Sequence, residues 1–145
     1  MAELEEKKAS IIGTLKNKSV LKQKVFDNTL EWFGIVKEIL KNFSKEVNHN
    51  LSGVDPRIKM EYTDRSCFDA QLKVAGDILL FSMHSNIFQF DRDHPAWKTP
   101  YIQKNKFNAY SGLINVYNFL ADSFKYSRLD DLGYLIARIF INHEN

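Results

Sequence analysis

The first fifty residues combine a helical repeat of apolar side chains with a complete lack of proline. Between residues 19 and 49 the apolar positions recur every three to five residues, which is typical of one amphipathic helix. We expect this helix to be about 46 Å long at about 1.5 Å per residue, with its N-cap at Ser19 and a shorter helix over about 3–16 before it. The apolar positions are Leu21, Val25, Leu30, Phe33, Val36, Leu40, Phe43 and Val47.

Residues 57–90 change to an alternation with a period of two. Met60 and Tyr62 alternate with polar neighbours, and residues 68–74 repeat the pattern. Such alternation is typical of strands with one buried face. Residues 78–83 are apolar on both faces, which predicts a central strand. These residues therefore predict an antiparallel meander.

Residues 111–142 fit both a helix and a strand. Leu113, Val116 and Leu120 have helical spacing, whereas the residues between them alternate as in a strand. Residues 132–141 are rich in β-branched and aromatic side chains, so we interpret them as a strand.

The two halves of the chain together predict an α+β fold. Its 145 residues are enough for a single domain, with a helical segment over 1–50 packed on a mainly antiparallel sheet over 57–142. A hydrophobic content of 44% excludes wholesale disorder. No apolar run approaches the roughly 18–20 residues of a membrane span. The N-terminus, Met-Ala-Glu-Leu-Glu-Glu, lacks an apolar signal core, so we expect a cytoplasmic protein.

The length of the helix suggests a first function. About 31 residues is far more than the mean of about 11–12 for a globular helix, and one small sheet cannot cover that much apolar surface. We therefore expect a non-catalytic interaction or scaffold protein that forms a homo-oligomer or binds a protein partner. The alternative is a helix that lies fully across its own sheet. The predicted interface residues are Leu21, Val25, Leu30, Phe33, Val36 and Leu40.

The long loop over 91–110 suggests an alternative function. Pro95 and Pro100 interrupt it, it shows no periodicity, and loops of this length are often functional. Basic side chains, which neutralise phosphate, are interleaved with aromatic rings, which stack. The alternative is a sensor for a small anionic ligand or nucleotide, with this loop as its lid. The predicted ligand-binding residues are Arg92, His94, Trp97, Lys98, Tyr101, Lys104 and Lys106.

Lysines near the N-terminus extend this alternative. Lys16, Lys18 and Lys22 lie in a stretch without acidic residues between Glu6 and Asp27, so a nucleotide could use both segments. A net charge of only +2 argues against nucleic acid, because nucleic-acid domains are usually more basic. The structural alternatives are a solvated helix face for the lysines and core-anchoring aromatics for the loop.

Catalytic motifs are lacking in the sequence. There is no Gly-x-Ser-x-Gly elbow and no glycine-rich phosphate loop, and Cys67 is interpreted as a small buried hydrophobe of a strand. His84, Asp91, Asp93 and His94 are near enough in sequence to suggest a divalent-metal enzyme. The favoured alternative is a turn with local ion pairing over residues 91–93, followed by a loop that His94-Pro95 shapes. We therefore predict no catalytic residue, no metal site and no cofactor.

Overall fold

The protein, a computed structural model that describes residues 1–144, is built around a helical rod and a sheet. The rod runs without interruption through α1 (Ala2–Thr14), a π-helical turn (Leu15–Ser19) and α2 (Val20–Asn50). At about 1.5 Å per residue the rod is about 73 Å long. The α+β class predicted from the two periodicities is confirmed.

The chain does not start a new helix at Ser19. This residue has helical dihedral angles, φ −71° and ψ −38°, and its side chain makes no capping hydrogen bond. The π-helical turn instead takes up an extra residue, because its hydrogen bonds reach five residues along the chain rather than four. The predicted boundary between two helices was therefore wrong, and the rod is longer than expected.

Six strands follow the rod and form an antiparallel sheet. In chain order they are β1 (Met60–Ser66), β2 (Asp69–Val74), β3 (Asp77–Met83), β4 (Phe88–Gln89), β5 (Tyr110–Leu120) and β6 (Tyr134–Ile141). The first three form the predicted meander, whereas β3, β4 and β6 all pair with β5. The strand predicted over 132–141 is confirmed as β6.

Strand β5 connects the two sides of the sheet. β3 and β6 pair with overlapping parts of β5, so they occupy its opposite edges. The amides of His84 and Phe90 donate hydrogen bonds to the carbonyls of Leu113 and Ala109. Carbonyls an even number of residues apart point to the same edge of a strand. β4 therefore continues β3 along one edge of β5, and β6 is an outer strand of the sheet.

One face of the sheet carries α2. Phe33 is 1% exposed and packs in a core with Ala70, Met83, Ile114 and Ile141. The apolar repeat of the helix thus meets the inward side chains of the strands, and this contact forms the hydrophobic core of the chain.

Three polar side chains of α2 fix its direction across the sheet. Asn28 Nδ2 donates a hydrogen bond of 3.2 Å to the carbonyl of Asn142, just beyond β6. On the opposite side of the helix, Lys37 Nζ lies 2.7 Å from Asp64 Oδ1 of β1. Asn48 exchanges two hydrogen bonds with the backbone of the first residue of β1. The helix therefore crosses from the β6 side to the β1 side, and the flank that carries Asn28 faces the β6 edge.

The helix approaches β5 closely at Gly112. A β-carbon at this position would lie 2.0 Å from Thr29 Oγ1. Thr29 is fully buried, and its hydroxyl donates a hydrogen bond of 2.7 Å to the carbonyl of Val25. Glycine is therefore required at this crossing because any larger residue would overlap with the helix.

The segment 91–110 is more ordered than its aperiodic sequence suggested. His94 Nδ1 accepts a hydrogen bond of 3.1 Å from the amide of Ala96, and Asn105 Oδ1 accepts one of 3.0 Å from the amide of Phe107. These caps start short helical turns, so the expectation of a structureless loop was wrong. The short helical elements of the chain after α2 are Pro56–Ile58, Pro95–Lys98, α3 (Pro100–Lys104), Lys106–Ala109 and α4 (Ala121–Lys125).

Candidate functional site

The beginning of the rod is not covered by its own chain. No residue of α1 is buried, and Leu4, Ile11, Ile12 and Leu15 are between 51% and 60% exposed. Most helical stability in proteins comes from tertiary packing of an amphipathic face, and α1 has none in its own chain. Contact with another surface would therefore both cover these apolar side chains and stabilise the helix.

A second apolar surface lies on α2. Trp32, Ile35, Ile39 and Phe43 are 40%, 40%, 60% and 48% exposed. They follow Asn28 at helical spacing, so they lie on the flank of the helix that faces the β6 edge. We term these four residues the α2 stripe.

β6 is an outer strand with little protection against pairing. In the described part of the chain it pairs with β5 alone, so its other edge has free backbone donors and acceptors. Arg138 is the one charged residue of β6, whereas β1, the outer strand on the other side, has three. Outer strands are usually protected by charges, proline or bulges; here a register shift against β5 between Val116 and Tyr117 adds a local irregularity. β6 thus presents a second exposed apolar surface, in addition to the α2 stripe.

The six residues predicted as an interface lie largely on the packing side of the helix. Val25 and Phe33 are 0% and 1% exposed and belong to the core of their own chain. Leu30 is 38% exposed. The other three are half-buried: Leu21, Val36 and Leu40. The apolar repeat thus identified the face that meets the sheet, while the α2 stripe on its flank was missed.

The segment 91–110 and the π-helical turn meet at a pocket of about 610 Å³. Three cationic side chains line it: Lys18 of the π-helical turn, Arg92 and Lys106. No carboxylate is among its lining residues. Among residues 1–144, these three cations also have no carboxylate oxygen within 4.0 Å. We term this the cationic pocket, and its charge favours an anionic occupant.

Aromatic side chains form much of the remaining wall. Trp97, Phe107 and Tyr110 line the cationic pocket together with Gln89. The indole of Trp97 is held in place because its Nε1 donates a hydrogen bond of 3.0 Å to the carbonyl of Phe90. The pocket therefore combines positive charge with ring surface, which is the combination that binds phosphate and a planar group together.

The structure brings together three of the seven residues predicted to bind a ligand: Arg92, Trp97 and Lys106. His94 instead lines a neighbouring pocket of about 470 Å³ and stacks on Phe90 with ring centroids 4.6 Å apart. The other three lie outside both pockets: Lys98, Tyr101 and Lys104.

Four residues of the cationic pocket were not in the predicted set: Lys18, Gln89, Phe107 and Tyr110. The acid-free stretch between Glu6 and Asp27 was the signal for Lys18. Phe107 and Tyr110 belong to the aromatic pattern of the loop, and nothing in the sequence distinguishes Gln89.

Tyr101 has a different role from the one predicted. Asn142 Nδ2 donates a hydrogen bond of 2.6 Å to the Tyr101 hydroxyl, which itself donates to the Glu144 carboxylate. Partial burial, followed by the hydrogen bond to Glu144, raises the pKa of Tyr101 above its ordinary value. Tyr101 therefore fastens residues 142–144 to α3.

The histidines and aspartates between residues 84 and 94 do not form a metal centre. Within residues 1–144, no three histidine, cysteine, aspartate or glutamate side chains are placed to hold a metal ion. The Nδ1 atoms of His84 and His94 accept hydrogen bonds from the amides of Asn86 and Ala96. Both imidazoles thus cap local turns, a role that the sequence did not indicate.

Cys67 differs from its predicted setting. It is a free thiol and is exposed, in the turn between β1 and β2. The expectation of a small buried hydrophobe was therefore wrong.

Comparison of the chain with protein-family models, with curated proteins and with solved structures found no match. Over residues 1–144, no helix has the length and apolar character needed to cross a bilayer. The function has to be argued from the surfaces described above.

Proposed function

We propose that the protein is a non-catalytic interaction protein that self-associates through its N-terminal helix. The observation that carries the proposal is the apolar surface of the rod: the apolar residues of α1 and the α2 stripe are all at least 40% exposed. Removing apolar surface from water is favourable by roughly 25 cal/mol per Å². A contact between rods would cover this surface.

The charge order of the rod favours a second copy of the chain in antiparallel orientation. Glu3, Glu5 and Glu6 are acidic, whereas Lys16 and Lys18 follow in the π-helical turn. In the part of the chain that the structure describes, Glu6 and Lys16 have no oppositely charged group within 4.0 Å. An antiparallel pair brings the acidic start of each rod next to the basic turn of the other. Two-fold symmetry makes this contact twice.

The α2 stripe and β6 support the same proposal. A stable interface usually buries about 800 Å² on each partner. In the antiparallel arrangement the rods overlap over about residues 1–21 only, so the α2 stripe and the edge of β6 are left for a second contact with a further copy. These surfaces supply apolar area in addition to that of α1.

The single cysteine supports a cytoplasmic location. Cys67 is an exposed free thiol, and free thiols persist in reducing compartments. We therefore propose that self-association takes place in the cytoplasm.

Ile11→Glu is expected to shift the protein to monomers at concentrations where the wild type is oligomeric, because Ile11 is 60% exposed on α1 and a carboxylate in an apolar contact loses its hydration. Sedimentation equilibrium over a concentration series measures this shift. Leu129→Glu is the matched control: it introduces the same group at a leucine that is 94% exposed and outside the rod. A wild type that stays monomeric at high micromolar concentration would contradict the proposal, and so would equal effects of the two variants.

Glu6→Lys and Lys16→Glu are each expected to weaken self-association by roughly two- to tenfold at low salt, the range of exposed ion pairs. The double variant should restore the wild-type dissociation constant, because the two opposite charges meet again between copies. The two residues lie about 15 Å apart along one helix, so they cannot pair within a copy. If the double variant is no tighter than the single ones, the antiparallel arrangement is wrong.

A further inference from the structure

We infer that the cationic pocket binds a free nucleotide, a ligand that carries a planar ring and several phosphate groups. The inference goes beyond self-association, because it concerns a pocket and not the apolar surfaces; of the pocket residues, Lys18 alone lies in the basic turn of the rod.

The charges of the pocket support a polyanionic ligand. Lys18, Arg92 and Lys106 come from three separate places in the chain and line the same space. Like charges held together repel each other, and no lining carboxylate compensates for them. A guanidinium can bind two phosphate oxygens at once, while an ammonium acts as a point charge. A phosphate chain would neutralise all three groups.

The aromatic wall supports a planar group next to the phosphates. Trp97 is half-buried and Phe107 is 42% exposed, so both retain surface on which a ring can lie. Lys22 Nζ lies 5.8 Å from the ring centroid of Tyr110, which adds a fourth cation beside this wall. Stacking on such side chains accepts any base, so the inference is to a class of ligand and not to one base.

The local helix geometry and the size of the pocket agree with a binding site. Lys18 lies within the π-helical turn, and such turns inside α-helices occur frequently at functional sites. The volume of about 610 Å³ lies within the roughly 300–1,000 Å³ of small-molecule sites.

A free nucleotide fits better than a strand of nucleic acid. A strand needs positive charge along an extended groove, whereas here the uncompensated cations surround one pocket and the net charge of the chain is +2. A mononucleotide needs no more than this one pocket.

Isothermal titration calorimetry of the full chain with adenosine triphosphate tests the inference. Adenosine has the planar ring without phosphates, and tripolyphosphate has the phosphates without a ring, so each should bind at least about tenfold more weakly than the nucleotide. An oligothymidylate should bind no more tightly than the nucleotide. Binding should weaken as salt is raised. No heat at millimolar nucleotide would overturn the inference, as would tripolyphosphate that binds equally well or an oligonucleotide that binds more tightly.

Lys106→Gln locates the site. It should weaken nucleotide binding about tenfold, the effect of one charge-assisted hydrogen bond. Lys104→Gln is the matched control. Lys104 carries the same charge and lies two residues from Lys106 in the sequence, but its side chain does not line the pocket. Thermal melting of both variants tests whether the fold is retained. Equal weakening by the two variants would mean unspecific attraction and would overturn the inference.

Discussion

Phe33→Ala is expected to lower the free energy of unfolding by about 3–5 kcal/mol, the usual cost of removing a buried phenyl group and leaving a cavity. Phe33 is 1% exposed and belongs to a core with side chains from β2, β3, β5 and β6, so its loss affects the packing of α2 on four of the six strands. Urea unfolding, followed by circular dichroism, measures the change. A loss below about 1 kcal/mol would contradict the packing of α2 on the sheet.

Phe43→Ala provides the internal control on the same helix. Phe43 belongs to the α2 stripe and is 48% exposed, so we expect a loss of less than about 1 kcal/mol in the free energy of unfolding. Association also stabilises the folded state by mass action. The unfolding of both variants is therefore measured at protein concentrations where the wild type is monomeric.

Gly112→Ala is expected to destabilise the fold by about 1–3 kcal/mol, because the added methyl group overpacks the contact between α2 and β5. Its β-carbon would lie 2.0 Å from Thr29 Oγ1 and 2.8 Å from Thr29 Cβ, so the helix has to move away from the sheet. The midpoint of urea unfolding reports this loss. An unchanged midpoint would show that α2 does not cross β5 at this position.

Gly34→Ala is the opposite case in the same helix. No atom lies within 4 Å of a β-carbon built on Gly34, and alanine favours the helical backbone by about 0.5–1 kcal/mol over glycine. We expect stabilisation of this size. The opposite signs at the two glycines separate a steric requirement from a backbone preference.

The helical repeat and the alternation with a period of two predicted the main elements, because each of them depends on which side chains are buried in the core. The repeat around Phe33 and the alternation around Ala70 both come from contact across the same interface. The boundary at Ser19 was not predictable in this way, because the π-helical turn depends on hydrogen-bond spacing and not on a residue type that ends a helix.

The order of the strands depends on contacts that are distant in sequence. β3 pairs with β5 rather than with β4, and the residues between them fold into short capped turns. Nothing in the local pattern of β5 shows which strands will lie on either side of it. Its apolar residues also have helical spacing, so the sequence of β5 remained ambiguous between helix and strand.

The functional surfaces were predicted in part for similar reasons. The composition of the segment 91–110 indicated cations and rings, and Arg92, Trp97 and Lys106 do lie together. Lys18 joins them only because the rod passes the segment in space. For the helix, an amphipathic repeat shows which face is apolar, but it cannot separate Phe33, which meets its own sheet, from Phe43, which remains exposed.

The π-helical turn at Leu15–Ser19 also changes the phase of the rod. One additional residue in a turn rotates everything before it by about 100° about the axis, relative to a regular α-helix. The apolar side chains of α1 are therefore offset azimuthally from the line along which α2 meets the sheet. In the self-association proposed above, the second copy would therefore contact α1 from a direction different from that of the sheet.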